Sequence, residues 1–370
     1  MLTLTLVACL GWLLLLVLPW QPWRTREHLE ADRTAPAHLL EEITVLIPAR
    51  NEAPSIRATL AGVAAQGCFA RVILVDDESD DGTAELAATA GVPNLQIVEG
   101  APPPPGASGK LWALAQGFEH VETPLLLLLD ADVVLDAGII PTLARWRRLS
   151  DLAAASLMVN LSMSRPWERL LIPAFIYFFK LLYPFALANS RSRYVAAAAG
   201  GCILVKREAI EAIGGFRAIE GALIDDCTLA RKIKDSGRRV WLGLTRSARS
   251  ARPYEGLAEI WNMVARTAFT QLRYSFLLLG ACTASMVLFF LVPIAGLLAG
   301  PAARAAAVSA LALMSLSYWP TIRYYRLHPA LTVTLPVAGC LYLAMTWTSA
   351  LRYLRGERSR WKARVYDRAV

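Results

Sequence analysis

With 370 residues, the chain is long enough for one large domain or two ordinary ones. A hydrophobic content of 55% and a mean hydropathy of +0.41 exclude an ordinary soluble enzyme. The net charge of +8 is concentrated beside apolar sequence at the C-terminus, so we expect no nucleic-acid partner. The six cysteines show no C-x-x-C spacing and no pairing with histidine, which argues against a zinc site or a disulfide framework.

Four uncharged apolar segments lie at the two ends of the chain. Residues 1–20 are long enough to span a bilayer and lack a cleavage site, so they predict an N-terminal transmembrane anchor over residues 1–23. Residues 276–300, 305–322 and 330–351 predict a C-terminal transmembrane block over 276–351. A basic tail, residues 352–370, follows and is typical of a flank that faces anionic lipid on the cytoplasmic side.

Between these segments, short apolar strands alternate with helices. Residues 43–47, 71–75 and 95–98 predict three strands, and the five leucines Leu125–Leu129 predict a strand that is buried on both faces. Because the connections are short, the pattern predicts an α/β fold with a doubly wound parallel sheet.

Acidic residues follow the leucine strand directly. Asp130 and Asp132 lie where open α/β sheets bind ligands, and hard carboxylate oxygens suit Mg²⁺ or Mn²⁺ carrying a diphosphate. Lys110 stands at the predicted start of a helix, a position suited to phosphate oxygens. Asp225 and Asp226 open another predicted helix, although the helix dipole alone would favour acids there.

Six motifs occur in one order along residues 42–275. They are Pro48-x-x-Asn51-Glu52, Val75-Asp76-Asp77-x-Ser79-x-Asp81-Gly82-Thr83, Gly109-Lys110, Asp130-x-Asp132, Gly214-Gly215-Phe216 and Asp225-Asp226-x-x-Leu229. In this order the motifs resemble those of the family 2 glycosyltransferases, which are inverting enzymes with the GT-A fold. The N-terminal anchor, Trp112 and the C-terminal membrane block resemble the ceramide-glucosyltransferase-like branch, with the hopanoid-biosynthesis-associated (hopene-associated) enzymes as the nearest subfamily.

The resemblance implies roles for the residues that bind the donor. Glu52 and Asp77 would line the nucleotide pocket, and Asp77 would accept a hydrogen bond from the base. Lys110 would approach the nucleotide or its diphosphate. Asp130 would face the ribose or the donor sugar, and Asp132 would ligate the divalent metal.

The resemblance also implies how the acceptor is activated. Asp226, the second acid of its pair, would be the general base, and Asp225 stands where the family usually has Glu. Processive members carry Gln-x-x-Arg-Trp, whereas this chain has Gln271 one residue closer to Arg273 and has Tyr274 in place of Trp. Arg273 and Tyr274 are therefore expected to hold the diphosphate or the acceptor in an enzyme that adds one sugar.

Residues 166–190 are apolar and aromatic but are interrupted by Lys180 and two prolines. We expect an interfacial helix here, because a single membrane crossing would separate Asp132 from Asp226. Arg24 and Arg26 favour a cytoplasmic catalytic domain, yet three C-terminal crossings would then place the basic tail outside. One of the apolar segments is therefore expected not to span the membrane.

These observations predict a multi-pass enzyme of the inner (cytoplasmic) membrane, with its catalytic domain in the cytoplasm. It would move a single sugar from a nucleotide-diphospho-sugar, with a UDP-sugar favoured, to a lipid hydroxyl such as that of a hopanoid or terpenoid. Two alternatives stay open within the fold, a polyprenyl-phosphate sugar transferase and a polysaccharide synthase. An alternative of another class is a non-catalytic membrane scaffold that binds lipid.

Overall fold

The computed structural model describes residues 1–104, 108–361 and 364–367, with side chains as far as residue 356. The remaining positions of the predicted basic tail, residues 362–363 and 368–370, lie outside the described residues. Two short antiparallel strands follow the last apolar helix, at Glu357–Trp361 and Arg364–Asp367.

Eight strands form one sheet. In chain order they are β1 (Ile43–Ala49), β2 (Arg71–Asp76), β3 (Leu95–Glu99), β4 (Leu125–Leu129), β5 (Val133–Leu135), β6 (Ala154–Asn160), β7 (Cys202–Lys206) and β8 (Val240–Ser250). The spatial order is β3-β2-β1-β4-β7-β6-β8-β5. The first four strands are parallel, as predicted. Beyond β4 the predicted parallel arrangement holds only for β6 and β8, because β7 runs antiparallel to both β4 and β6, and β5 runs antiparallel to β8.

Helices cover both faces of this sheet. In chain order, the helices as far as residue 271 are α1 (Leu2–Val17), which lies away from the sheet, α2 (Ile56–Ala64), α3 (Thr83–Ala88), α4 (Gly109–Phe118), α5 (Ile139–Leu149), α6 (Pro166–Leu182), α7 (Phe185–Ala188), α8 (Arg207–Ala212), α9 (Asp225–Asp235), α10 (Leu257–Ala265) and α11 (Ala268–Gln271). The leucines of β4 divide between the two cores: Leu125, Leu127 and Leu129 face one, and Leu126 and Leu128 face the other. The strand is therefore buried on both faces, as its composition predicts.

One close approach brings α4 onto the sheet. A Cβ atom on Gly117 would lie 2.3 Å from Leu46 Cδ1 and 2.7 Å from Val75 Cγ2, so no other residue fits there without displacing the core. This packing fixes the position of α4 relative to β1 and β2. The first turn of α4, which carries Lys110, is thereby held at the carboxyl ends of the parallel strands.

Among the residues that the structure describes, three helices are long and apolar enough to cross a membrane: Phe276–Gly296, Pro301–Tyr324 and Pro329–Leu354. The first comprises α12 (Phe276–Met286), a π-helical turn and α13 (Val292–Gly296). The second is α14 (Pro301–Tyr324), and the third is a 3₁₀ turn, Pro329–Thr334, followed by α15 (Leu335–Leu354). These helices expose large apolar side chains; Leu277 is 83% exposed and Leu298 is 90% exposed. Such surfaces are typical of contact with lipid.

The N-terminal helix α1 is shorter than the predicted anchor. Its 16 residues rise about 24 Å, which is less than the roughly 30 Å of a bilayer core. Trp12 Nε1 donates to Phe289 O (3.0 Å), and the Trp12 ring meets Phe290 edge-on at 5.3 Å. The helix is therefore part of the C-terminal helical bundle, and its role as an anchor stays a prediction.

Helix α6 lies between the catalytic part of the chain and the apolar helices. At its first turn, Arg165 Nη1 donates to Tyr254 O (2.9 Å). Just past its other end, Tyr183 Oη donates to Gln271 Oε1 (2.6 Å). Both ends of α6 therefore contact residues that precede the first long apolar helix. The predicted interfacial position is compatible with this geometry.

Candidate active site

The loops after β1 and β2 interlock at the carboxyl edge of the sheet. Asn51 N donates to Ser79 Oγ (3.0 Å), and Glu52 N donates to Thr83 Oγ1 (2.9 Å). Asp77 is fully buried, and its backbone N–H donates to Ala49 O (2.8 Å). Glu52 and Asp77, predicted to line the nucleotide pocket, are therefore held on neighbouring loops.

Two buried polar atoms near these loops have no hydrogen-bond partner within the part of the chain that the structure describes. They are Arg50 Nε and Asp76 Oδ1. Asp76 uses its other carboxylate oxygen to accept from Ser79 N (3.3 Å). Because unpaired buried polar groups are costly, this region is suited to a ligand that brings hydrogen-bonding groups of its own.

Lys110 links the acids of two distant motifs. Its Nζ lies 2.6 Å from Asp130 Oδ1 and 3.9 Å from Asp225 Oδ2. Burial alone would lower the pKa of Lys110, but the charges of Asp130 and Asp225 outweigh burial and raise it. The amine is therefore a fixed positive charge among the carboxylates.

Asp226 is held by backbone amides at the start of α9. Its Oδ2 accepts from Gly200 N (2.8 Å) and its Oδ1 from Cys227 N (2.7 Å). Burial and the neighbouring charge of Asp225 raise the pKa of Asp226 to about 7, against the opposing effects of the two amides and Lys110. A carboxylate with a pKa near neutrality can take up and release a proton under ordinary conditions.

Asp132 lies two residues beyond Asp130, on the turn that leads to β5. Its Oδ2 accepts from Ser250 Oγ (3.1 Å), and its backbone oxygen accepts from Ala251 N (2.7 Å). Burial raises the pKa of Asp130, Lys110 opposes that rise, and the charge of Asp132 adds to it. Asp130 and Asp132 are thus close enough to repel one another.

The donor set around Asp132 determines what kind of metal site it could form. Among the described residues, no group of three His, Cys, Asp or Glu side chains is arranged to hold an ion. Mg²⁺ is commonly bound by one or two carboxylates together with substrate phosphates rather than by an all-protein cage. The carboxylate of Asp132, with that of Asp130 close by, fits a cation that binds together with a diphosphate.

A cavity lies among Lys110, Asp130, Asp225 and Asp226, with about 350 Å³ of empty volume that includes open solvent. Residues from well-separated parts of the chain line it, among them Pro48, Lys110, Asp130, Phe216, and the pair Asp225 and Asp226. Four of the predicted site residues therefore meet in one cavity, although two of them come from the first half of the chain and two from the second.

The other predicted site residues do not line this cavity: Glu52, Asp77 and Asp132 lie on the loops described above, and Arg273 and Tyr274 lie elsewhere. Tyr274 stacks on Tyr353 of α15, with ring centroids 4.6 Å apart, and its hydroxyl accepts from Thr270 Oγ1 (3.1 Å). Arg273 is exposed and, like Tyr274, has left-handed backbone geometry, with φ of 52° and 56°. The structure does not bring this pair into the cavity, so its contact with diphosphate or acceptor stays a prediction.

Tyr183 and Gln271 are the residues that sequence reasoning missed. The Tyr183 ring lies near Asp226 and Cys227, and its hydroxyl donates to Gln271. Burial raises the pKa of Tyr183, so the phenol keeps its proton. No spacing rule relates the end of α6 to α11, and the only available signal was the glutamine of the incomplete Gln-x-x-Arg-Trp motif.

Comparisons with known proteins agree with this geometry. The family described as "Glycosyltransferase like family 2" matches residues 41–270, more than half of the chain. The chain is 33% identical over 128 residues to an uncharacterised glycosyltransferase of Mycobacterium tuberculosis, covering 34% of this chain and 54% of that protein. It is 28% identical over 119 residues to the 4,4'-diaponeurosporenoate glycosyltransferase of Staphylococcus haemolyticus, covering 31% and 30% of the two chains. The chain thus spans about half the length of the mycobacterial relative.

One solved structure resembles nearly the whole chain. A mannosyltransferase from Pyrobaculum calidifontis, solved with GDP-Man and Mn²⁺, superposes with a TM-score of 0.58 at 20% identity and covers 96% of this chain and 99% of that one. At this identity the likeness supports the fold alone. The match to the family over residues 41–270, together with the fold, shows that the chain belongs to the family 2 glycosyltransferases, with a GT-A fold and apolar helices able to cross a membrane.

Proposed function

We propose that this glycosyltransferase moves a single sugar from a nucleotide-diphospho-sugar to the hydroxyl of a membrane lipid, with inversion at the anomeric carbon. The observation that carries the proposal is the convergence of Lys110, Asp130, Asp225 and Asp226 in one cavity. The ammonium group of Lys110 is suited to a donor that loses a diphosphate. The carboxylates beside it are suited to an acceptor that loses a proton.

The donor would bind along the carboxyl edge of the sheet. Glu52 and Asp77 would contact the nucleoside, whose polar groups would satisfy atoms such as Asp76 Oδ1. Lys110 would meet the diphosphate, and Asp130 the ribose or the sugar. We favour a UDP-sugar as the donor. The structurally similar mannosyltransferase from Pyrobaculum calidifontis was solved with GDP-Man, so the test below compares donors that carry different nucleobases.

Asp132 would hold Mg²⁺ or Mn²⁺. When bound, such a cation neutralises the charge that develops on the leaving diphosphate. Lys110 adds a second positive charge at the same end of the cavity. The cation carried by Asp132 and the ammonium of Lys110 would together stabilise the leaving group.

Asp226 would act on the acceptor. Its carboxylate takes the proton from the acceptor hydroxyl while the hydroxyl oxygen forms a bond to the sugar C1 and the bond from C1 to the diphosphate oxygen breaks. Because attack comes from the face opposite the leaving group, the configuration at C1 inverts. A positioned general base contributes roughly 10²–10⁴-fold to the rate.

The surroundings of Asp226 favour a lipid acceptor. Tyr183 packs against an apolar cluster that includes residues of the apolar helices, and Gln271 ends α11, shortly before the first of those helices, so an acceptor could approach Asp226 from the membrane side. The staphylococcal relative is named for glycosyl transfer to 4,4'-diaponeurosporenoate. Within the lipids, we propose a hopanoid or terpenoid alcohol, used by an enzyme of the inner membrane whose catalytic domain faces the cytoplasm.

The test is donor turnover by the purified full chain in lipid nanodiscs. UDP-glucose, UDP-N-acetylglucosamine and GDP-mannose would each be supplied with a bacterial lipid extract, and the release of nucleoside diphosphate measured. We expect release with one donor, dependence on Mn²⁺ or Mg²⁺, abolition by EDTA, and a lipid that gains the mass of one sugar. Transfer that persists in EDTA would contradict the metal assignment. Addition of many sugars would contradict the transfer of a single sugar. Addition of sugar to polyprenyl phosphate alone would contradict a lipid hydroxyl as the acceptor.

A further inference from the structure

The third apolar helix, Pro329–Leu354, has the length and composition of a membrane span, but its contacts indicate that it does not cross the membrane. We propose that residues 325–354 enter the membrane and leave it on the same face, so that α15 is a re-entrant or interfacial helix beneath the catalytic domain. The inference rests on the membrane association proposed above, but it is independent of the donor and acceptor.

Residues 325–354 start on the side of the bundle that contacts the catalytic domain. Tyr324, at the end of α14, donates from its hydroxyl to Glu30 Oε1 (2.8 Å). The same carboxylate accepts from Arg246 Nε (3.0 Å) and Ser247 Oγ (2.9 Å), both of β8. Because β8 belongs to the catalytic sheet, the end of α14 is attached to the catalytic domain.

The segment also ends on the catalytic side. Near the end of α15, Ser349 Oγ accepts from Phe269 N (3.1 Å), and Arg352 Nη2 donates to Asn262 Oδ1 (2.7 Å). Both partners lie on α10 and α11, which precede the first long apolar helix. A helix that crossed the bilayer would place Ser349 and Arg352 on the face opposite Tyr324.

The start of α15 lies inside the helical bundle. A Cβ atom on Gly339 would lie 2.9 Å from Phe290 Cδ1, and Trp347 Nε1 donates to Thr283 Oγ1 (3.1 Å). Tyr353 lies further along, against Phe269, with ring centroids 5.4 Å apart. Helix α15 therefore runs back along α12 from the middle of the bundle toward the catalytic domain.

Charge supports the same arrangement. The turn between α13 and α14 lies at the ends of the two helices opposite to those joined to the catalytic domain, and the basic residue nearest to it is Arg304, in the first turn of α14. If residues 325–354 return to the membrane face on which they start, the basic side chains near their two ends all lie on the face of the catalytic domain. These are Arg323, Arg326, Arg352 and Arg355. This distribution obeys the positive-inside tendency, which three C-terminal crossings would violate.

The test measures on which side of the membrane three positions lie. Native Cys68 is exposed on the catalytic domain and serves as the reference. Three single-cysteine chains would carry Cys68 alone, Gly300→Cys alone or Arg355→Cys alone, with the other cysteines replaced by Ser. Each would be treated with a membrane-impermeant maleimide in sealed cells and in inverted vesicles.

We expect Arg355→Cys to label in the same preparation as Cys68, and Gly300→Cys to label only in the opposite one. Labelling of Arg355→Cys together with Gly300→Cys would overturn the proposal. If all three label equally in both preparations and carbonate washes the protein from the membrane, membrane association itself has failed. A reporter fused after Val370 of the unmodified chain provides the same comparison without cysteine replacement.

Discussion

At the scale of single residues, Asp226 combines two opposing influences. Its two amide hydrogen bonds and Lys110 stabilise the charged form, whereas burial and Asp225 destabilise it, and the balance raises its pKa to about 7. A carboxylate in solution, with a pKa near 4, would be a weak base for an alcohol. The environment of Asp226 therefore increases its basicity while keeping it partly ionised at neutral pH.

Replacing Asp226 with Asn should separate chemistry from binding. We expect Asp226→Asn to lower sugar transfer by roughly 10²–10⁴-fold, because the general base is lost. Nucleotide affinity, measured by calorimetry with the nucleoside diphosphate and Mn²⁺, should change little. Asp235→Asn, at the exposed far end of the same helix, is the matched control and should keep full activity. Near-normal transfer by Asp226→Asn would show that the base is another residue.

The charge of Asp225 should set the pH dependence of the reaction. As pH rises through about 7, Asp226 loses its proton, so kcat/KM should rise between pH 6 and 8. Asp225→Asn removes a negative charge that raises the pKa of Asp226, and the rise should then occur at lower pH. Asp225→Glu keeps the charge and should keep the original midpoint. An unchanged midpoint in Asp225→Asn would rule out this coupling.

The sequence predicted the residues of this site better than their partners. Lys110, Asp130, Asp225 and Asp226 follow strand ends or open helices, and those positions converge in any sheet of this kind. The contact between Tyr183 and Gln271 was not predictable, because it depends on how α6 packs on α11. Side-chain contacts between distant helices leave no periodic signal in the sequence.

At the scale of elements, Glu168 joins α6 to the catalytic sheet. The side chain is fully buried, and its Oε2 accepts from Ser162 Oγ, from Ser164 N and Oγ, and from Arg165 N. Its Oε1 accepts from Tyr254 N (2.7 Å). Burial alone would raise the pKa of Glu168, but these hydrogen bonds lower it, so the carboxylate is ionised. One side chain thus fixes the start of α6 against the segment after β8.

Glu168→Gln should destabilise the protein. The amide group has one acceptor oxygen in place of two, so at least one buried donor loses its partner, at a cost of about 1–3 kcal/mol. We expect a melting temperature several degrees lower, measured by fluorescence in detergent. Glu122→Gln, on an exposed side chain, should leave the melting temperature unchanged. Equal melting temperatures for Glu168→Gln and the unmodified chain would refute the structural role.

Elements differed in how far the sequence could predict them. The leucines of β4 specify a strand buried on both faces, and the start of α9 at Asp225 was also predicted. The direction of β7 was not, because an apolar run such as Cys202–Lys206 fits a parallel or an antiparallel position equally well. Strand direction depends on the path of the connecting chain, which the local pattern does not encode.

At the scale of the whole molecule, the catalytic domain and the apolar helices share their cores. Tyr177 of α6 is fully buried, exchanges a hydrogen bond with Ser317 (2.7 Å), and meets Tyr318 of α14 at 5.2 Å. Phe178 contacts Phe290 at 5.7 Å. The surface of α6 that faces the helices is therefore as apolar as a protein interior and requires the helices to cover it.

A chain ending at residue 275 should consequently not behave as an independent soluble domain. Removing the helices exposes Tyr177 and Phe269, which are fully buried, and each such aromatic side chain contributes about 1.5–3 kcal/mol. The combined loss of roughly 3–6 kcal/mol is a large part of the stability of an ordinary domain, about 5–15 kcal/mol. We expect aggregation on size-exclusion chromatography without detergent and a lowered melting temperature with it. A chain ending at residue 356 keeps every apolar helix and should match the full chain in both measurements. A monodisperse, active fragment of residues 1–275 would show instead that the catalytic domain folds without the helices.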